Sequence, residues 1–573
     1  MKKNKKIANA GIIIGIIAFL CIALIFSGCV TQSQSNPTKD EKQIKTENKT
    51  EEIKTESQIE TRSSSPKIID TIHLTGGDSG YPSPFMHYPR GPGMYKMNLI
   101  FDSLLEKDDK GIIPWLAEKW DISSDYKEYT FYLRNNVKWQ DGKDFTAKDV
   151  KFTIDYEKKH PPASTYDLSS VSNVEVIDDY TIKFTLVQPI APFIDDIVSL
   201  KIIPEHIWKD VSDPNKFEAP EAVIGTGPYK LESYSKEHGT YKFVAFDSFW
   251  GPTQRVKNIE FIPVSDETVA FQQKEIDFVS LSTDAIGMFK NDPEVYLFQQ
   301  PAIWGYELSF NMNNSPLLKE KVVRQAFAYA IDRDELVKKI GRDAGKPGSM
   351  GILPQDHIWY NPKVPKYEHD VNKAKQLLTD AGWEDTSGDG ILDKDGKKLS
   401  FGMIISSDLA RIAELSKERL KEAGIDVTIQ AVDSKSRDTK LAQGDFEIAI
   451  NGYGGWGKDA DYLRSKFCGE SFGKKGASHG NPLTGYQNDT VDKLALAQLS
   501  ETDKNKRRDI IYQLQEVLAE EVPSIPLFYT ASYNAYRPAV YDGWMNMFDH
   551  HTMTHSKLSY LDRSKIISGY VGG

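Results

Sequence analysis

Residues 31–66 decide where folding can begin. They are almost wholly Lys, Glu, Thr, Ser, Gln and Asn, with hardly an apolar side chain beyond Ile44, Ile53 and Ile59. Such a segment buries too little surface to offset the entropy of ordering it. Residues 30–66 are therefore predicted to be a disordered tether, and the folded part to start near Lys67. The chain has 573 residues, 39% of them hydrophobic. The stretch beyond the tether is long for one domain, so two lobes or more are expected.

Ahead of the tether lies KKNKK at residues 2–6, then an uncharged, mostly apolar stretch from Ile7 to Phe26. As a helix that stretch spans about 30 Å, the thickness of a bilayer core. It is longer than the usual apolar core of a signal peptide, so a retained anchor is one reading. The other rests on IFSGC, where Ser27 and Gly28 precede Cys29. That junction resembles a lipoprotein signal, in which cleavage leaves Cys29 lipidated. Residues 1–29 are thus a signal or a membrane anchor. Either way the positive cluster stays inside and the remaining chain lies outside the cytoplasm.

The net charge of -11 supplies no basic surface for nucleic acid. Of three cysteines, Cys21 and Cys29 lie in the leader, so Cys468 is alone in the folded part. Neither a disulfide framework nor a cysteine metal site fits. The 27 Tyr, 26 Phe and 10 Trp are enough both to fill a core and to line a pocket.

The folded part mixes strands and helices without strict βαβ repetition. YTIKFTL from Tyr180 alternates apolar and polar residues, as a half-buried strand does. Ser407 to Gly424 reads as a helix ending at a C′ glycine. Val322 to Ile331 is a second helix, with Asp332 and Glu335 capping its continuation. Asp503 opens a third, which Pro523 stops.

One run, LIFDSLLEKDDKGIIPWLAEKWDISSDYKEYTFYLRNNVKWQDGKDFTAKDVKF from Leu99, resembles the peptide- and nickel-binding solute-binding proteins of family 5. VIGTGPYKLESY from Val223, VVRQAFAYAIDRDELV from Val322, AKQLLTDAGW, AGIDVTIQ and VPSIPLFY come after it in the family's order. The resemblance covers the chain from about Lys67 onward. It implies an α/β, periplasmic-binding-protein-like fold of class II type, with mixed sheets and two lobes closing about a hinge. The first lobe would be residues 67–301, with a subdomain inserted at about 100–215. The second would be 302–525, and residues 526–573 would return to the first.

The loop NGYGGWGKDADYL from Asn451 is the leading candidate for ligand contact. Four glycines in seven residues allow close approach, and Tyr453 and Trp456 supply rings. In peptide-binding relatives, an Asp three residues after this Trp holds the peptide's α-amine. That spacing selects Asp459, yet DxDYL also aligns downstream of such an anchor, so its retention stays open. GYPSPFMHYPRGPG from Gly80 lies just after the first strand, and Tyr81 and Arg90 are candidates there; Arg90 suits a carboxylate. Trp304 and Tyr306 are candidates at the crossover between lobes.

Two metal readings are weighed against plain loops. Asp385, Ser387, Asp389 and Asp393 fall at calcium-loop spacing with Gly390 at the turn, but Gly396 stands where an EF-hand needs Glu. His551 and His555 are spaced to share a helical face and could take nickel or zinc. Calcium is the one cofactor considered; none is otherwise expected.

The expected function is an extracytoplasmic solute-binding receptor of an ABC importer, not an enzyme. Its ligand would be a small solute, a peptide first and a nickel or other metal chelate as the alternative. Its partners would be the ABC permease and ATPase subunits and, through the N-terminal anchor, the membrane; the protein itself would be a monomer. There is no G-x-x-x-x-G-K-[ST] and no H-E-x-x-H. A secreted hydrolase and a ligand-sensing surface protein are the rival classes.

Overall fold

The computed structural model describes residues 67–87, 92–162, 168–454, 456, 459–468, 484–547 and 552–566. The leader, the tether and Cys29 lie outside them. Among the described residues no helix is long and apolar enough to cross a membrane.

The first sheet starts with Ile69–Thr75, whose alternation buries Ile72 and Leu74. It pairs in parallel with Val256–Ile262, and Thr240–Ala245 and Tyr229–Ser235 extend the sheet antiparallel. A second, wholly antiparallel sheet has the order Ala117–Ile122, Glu128–Leu133, Thr181–Leu186, Val171–Asp178. Here the alternation seen in the sequence buries Ile182, Phe184 and Leu186. They join Phe131, Trp139 and Phe145 in a core of their own. Full burial of a side chain of this size contributes roughly 1.5–3 kcal/mol. The helix Ala147–Lys159 belongs to the same core and begins with a capping box between Thr146 and Asp149.

The third sheet has seven strands. Ser400–Ser406 pairs in parallel with Asp426–Val432 and with Ile448–Gly454. The latter runs antiparallel to Tyr296–Phe310, which in turn pairs with Ser524–Tyr536. The helices read from the sequence pack on it. Ala410–Glu422 buries Ile412, Ala413 and Leu420 and ends before Gly424, at φ 84°. Asp332 caps Arg333–Lys339 by accepting from the Glu335 amide at 2.8 Å, and Asp503 caps Lys504–Glu521.

Two strands serve two cores. Phe298 and Tyr536 lie in the core of the first sheet, whereas Leu308, Phe310, Ile525 and Leu527 lie in that of the third. The lobe divisions expected at 301/302 and 525/526 fall inside these continuous strands, Tyr296–Phe310 and Ser524–Tyr536. Their register shifts between Gln300 and Trp304. A bulge bends a strand without ending it, so the chain passes from one core to the next with its ladder largely kept.

Gly225 and Gly227 explain the motif VIGTGPYKLESY. A Cβ on Gly225 would meet the Ile100 carbonyl oxygen at 2.0 Å, and one on Gly227 at 2.5 Å. The Gly227 amide donates to that same oxygen at 2.7 Å. The motif packs backbone to backbone against Ile100, a member of the first sheet's core, and a side chain would block that contact.

Candidate functional site

The parallel strands Ser400–Ser406, Asp426–Val432 and Ile448–Gly454 end at one edge of the third sheet. In open α/β sheets, the crevice outside the carboxyl ends of the strands is where ligands bind. Trp304 and Tyr306 reach this edge from the neighbouring strand, opposite Gly454 and Gly452. As residues i and i+2 they share a face. Trp304 is 39% exposed, an unusual degree for an indole on a central strand. A Cβ on Gly452 would lie 2.4 Å from the Trp304 ring, so the bare backbone there is what lets the indole lie flat across the strand. Tyr306 is half-buried against Phe528 at 5.2 Å between ring centres. Burial pushes its hydroxyl pKa up, Asp408 adds to the rise and Arg437 opposes it. Asp408, in the short 3-10 turn Ser407–Leu409, and Arg437, in the first turns of the helix Ser434–Gln443, follow two of the parallel strands and therefore belong to this edge. Arg437 donates to the Ser406 hydroxyl at 2.8 Å. Sequence reading missed both, although each comes just after the end of an apolar strand pattern.

Three candidate residues come from the loop that starts at Asn451. Tyr453 is fully buried and Trp456 is 5% exposed. Trp456 meets Tyr453, Tyr529 and Tyr462 edge-on at 5.2, 5.4 and 6.4 Å. With three rings around it the indole is part of the core of the third sheet. Gly305, between Trp304 and Tyr306, points its missing Cβ towards Tyr529 and Tyr453. The strand thus turns one face to the buried tyrosines and the other to the sheet edge.

Asp459 is occupied. Arg507 donates to both of its oxygens at 2.6 Å, and the Asp461 amide donates to Oδ1 at 2.8 Å. Arg507 is 6% exposed and also reaches the Gln498 carbonyl at 3.0 Å. Asp461 is taken likewise, by a two-pronged bond from Arg464 and by Gln498. A carboxylate bound on both oxygens by a guanidinium has little left to offer an amine. Asp459 is thus held in an internal ion pair with Arg507.

Tyr81 is half-buried and donates to the Ala219 carbonyl at 3.1 Å, with its ring beside Tyr234. It braces the loop after the first strand. Arg90 lies outside the described residues. That loop leads to a group the sequence did not single out: Lys96, 2% exposed, sits over the Tyr241 and Phe261 rings at 4.8 and 4.5 Å. Burial lowers its pKa to about 8.

The residues of the two metal readings make the following contacts. Asp385 accepts from the Gly388 and Gly390 amides, Asp389 pairs with Lys398, and Asp393 accepts from Thr386. Ser387 adds no carboxylate. These are turn contacts, and among the described residues no three His, Cys, Asp or Glu converge to hold a metal ion. His555 stacks on Tyr95 at 3.7 Å, and His551 lies outside the described residues. The sequence also holds a G-x-S-x-G spacing that motif reading missed, Gly469 to Gly473, and it lies outside the described residues. It comes after the helix Asp461–Phe467, not after the strand that a nucleophile elbow needs.

Known proteins resolve what this geometry belongs to. The model of the bacterial extracellular solute-binding proteins, family 5, matches residues 111–475, more than half of the chain. The chain belongs to that family. As a family 5 protein it is 28% identical to the dipeptide-binding protein of Escherichia coli over 457 residues, 75% of this chain and 83% of the relative. It is 29% identical to the oligopeptide-binding protein AppA of Bacillus subtilis over 469 residues, 76% and 82% of the two chains. Among solved structures, NikZ from Campylobacter jejuni with Ni(L-His) superposes at a TM-score of 0.72 and 23% identity, covering 87% of this chain and all of that one. AppA from B. subtilis with a nonapeptide gives 0.70 at 24%, covering 87% and 99%. The family 5 fold is thus α/β and periplasmic-binding-protein-like, with two lobes. The protein is a solute-binding component of an ABC transporter.

Proposed function

We propose that this protein is the outward-facing receptor of an ABC importer, that its solute is a peptide, and that lipidated Cys29 holds it to the membrane. The observation that carries the reading is the exposed Trp304, beside Tyr306, at the carboxyl edge of the parallel strands. A flat indole on a rigid strand offers a ligand area at low entropic cost. The names of the relatives support a peptide: one is a dipeptide-binding and another an oligopeptide-binding protein. The IFSGC junction with a polar tether after it supports the anchor. The protein delivers its solute to the permease unchanged, which separates it from a hydrolase. Dependence of uptake on the permease separates it from a sensor.

A mass spectrum of the solute released from the purified protein tests the ligand. Peptides are expected; their absence, with a nickel chelate or sugar in their place, would refute the peptide reading. Cys29→Ala tests the anchor: equal mass and equal membrane release in variant and wild type would refute lipidation. A second reading, a ligand without an α-amine such as a metal chelate, is favoured by one observation. The Asp459 carboxylate already serves Arg507.

A further inference from the structure

Far along the chain from the crossover strands, the inserted subdomain touches the second lobe. The helix Asp489–Ser500 ends there. The last four carbonyls of a helix have no partner within it, and here two of them are supplied from outside. Arg507 donates to the Gln498 carbonyl at 3.0 Å. The Ala191 amide, from the segment between the strand Thr181–Leu186 and the helix Phe193–Ser199, donates to the Leu499 carbonyl at 2.8 Å. The Leu499 side chain is 9% exposed. Among the described residues it is the one member from 302–525 in an apolar cluster otherwise built from residues 104–202 and the C-terminal segment.

We propose that Leu499 is the latch of the closed form, with Arg507 as the residue that positions it. The latch has an apolar part, the leucyl side chain seated in the subdomain, and a directional part, the bond from Ala191. Parting the lobes exposes the one and breaks the other. Arg507 fixes the last turn of the helix through Gln498 and is itself held by both oxygens of Asp459. The Asp459–Arg507 pair therefore ties the loop beside the sheet edge to the contact between lobes. A contact made only in the closed form raises the closed fraction, and apparent affinity rises with the fraction that can bind. This inference rests on the solute-capture reading, but its test needs no solute.

Hydrogen exchange of the full-length protein as purified reads the latch directly. In Leu499→Asp, the Ala191 amide should exchange at least about tenfold faster, since a carboxylate will not enter an apolar cluster. The strand Thr181–Leu186, a few residues away, should keep wild-type protection and the melting temperature should hardly move. Leu499→Ala should show a smaller rise confined to the same amide. Arg507→Gln should raise Ala191 exchange roughly threefold to tenfold, the worth of a loosened hydrogen bond, although it lies in the other lobe. Arg507→Lys should recover part of it. Unchanged Ala191 exchange in Leu499→Asp would overturn the proposal. So would a rise shared by the strand Thr181–Leu186 in both Leu499 variants, because Leu499 would then be ordinary packing. Neither result depends on which solute is bound, so a failed peptide reading would leave the latch result standing.

Discussion

The Lys557 ammonium lies 2.6 Å from Asp102 Oδ1, and the two residues are 1% and 0% exposed although 455 positions separate them. Glu106 lies 2.8 Å away on the other side. Burial alone would lower the Lys557 pKa, and the two carboxylates reverse this and leave it raised. Trp115, Thr226 and Trp250 donate to the remaining positions of Asp102. A buried charge set survives only when geometry and hydrogen bonds satisfy it. Here it fastens the C-terminal segment to the start of the inserted subdomain.

Lys557→Met should therefore cost about 3–5 kcal/mol, because it leaves buried carboxylates short of a cation. Chemical denaturation of the variant measures this. A loss below about 1 kcal/mol, the range of an exposed pair, would show that the segment is not held this way.

The two tryptophans near the candidate site should behave oppositely. Trp456→Ala empties a core site and should destabilise the protein by about 3–5 kcal/mol. Trp304→Ala removes a ring that is 39% exposed; it should leave the melting temperature nearly unchanged and weaken ligand binding. Paired thermal melts and binding titrations separate the two effects. Normal binding in Trp304→Ala would remove the indole from the site.

Asp459→Asn takes one charge from the Arg507 pair. It should lower stability by about 1–3 kcal/mol. Affinity for a peptide and for its amine-acetylated form should change by the same factor. A loss confined to the free-amine form would restore Asp459 as an amine anchor.

Glu335 supplies a pH test. Hydrogen bonds from Arg419 at 2.8 and 2.9 Å, aided by Lys339, hold its carboxyl down to about 2 from the ordinary 4.5. A depressed carboxyl stabilises the fold above its unfolded pKa and loses that contribution as pH falls through its folded one. Glu335→Gln should thus be less stable than wild type at neutral pH, by about 1 kcal/mol. The gap should close between pH 4.5 and about 2. A gap independent of pH would mean that packing, not charge, is what Glu335 contributes.

Local pattern carried much of the fold. Ile182, Phe184 and Leu186 announce a strand by their spacing, and Asp332 and Asp503 announce helix starts by their place before apolar runs. The site was less legible, because its decisive contacts are long-range. Arg507 lies 48 positions beyond Asp459, and no periodicity ties them. Trp456 looked like a ligand ring because its glycine-rich loop suggested exposure. Tyr529, on a strand much later in the chain, buries it. Lys96 reads as an ordinary helix cation until Tyr241 and Phe261 close over it. The acidic run from Asp385 is a local case: the spacing that suits calcium also suits the turn contacts that its carboxylates make.

Titration calorimetry of the full-length protein with short peptides tests the central claim most directly. The account predicts saturable binding of one peptide per chain, weakened in Trp304→Ala, with the peptide recovered intact. Absence of saturable binding to any peptide, or recovery of cleaved peptide, would contradict it.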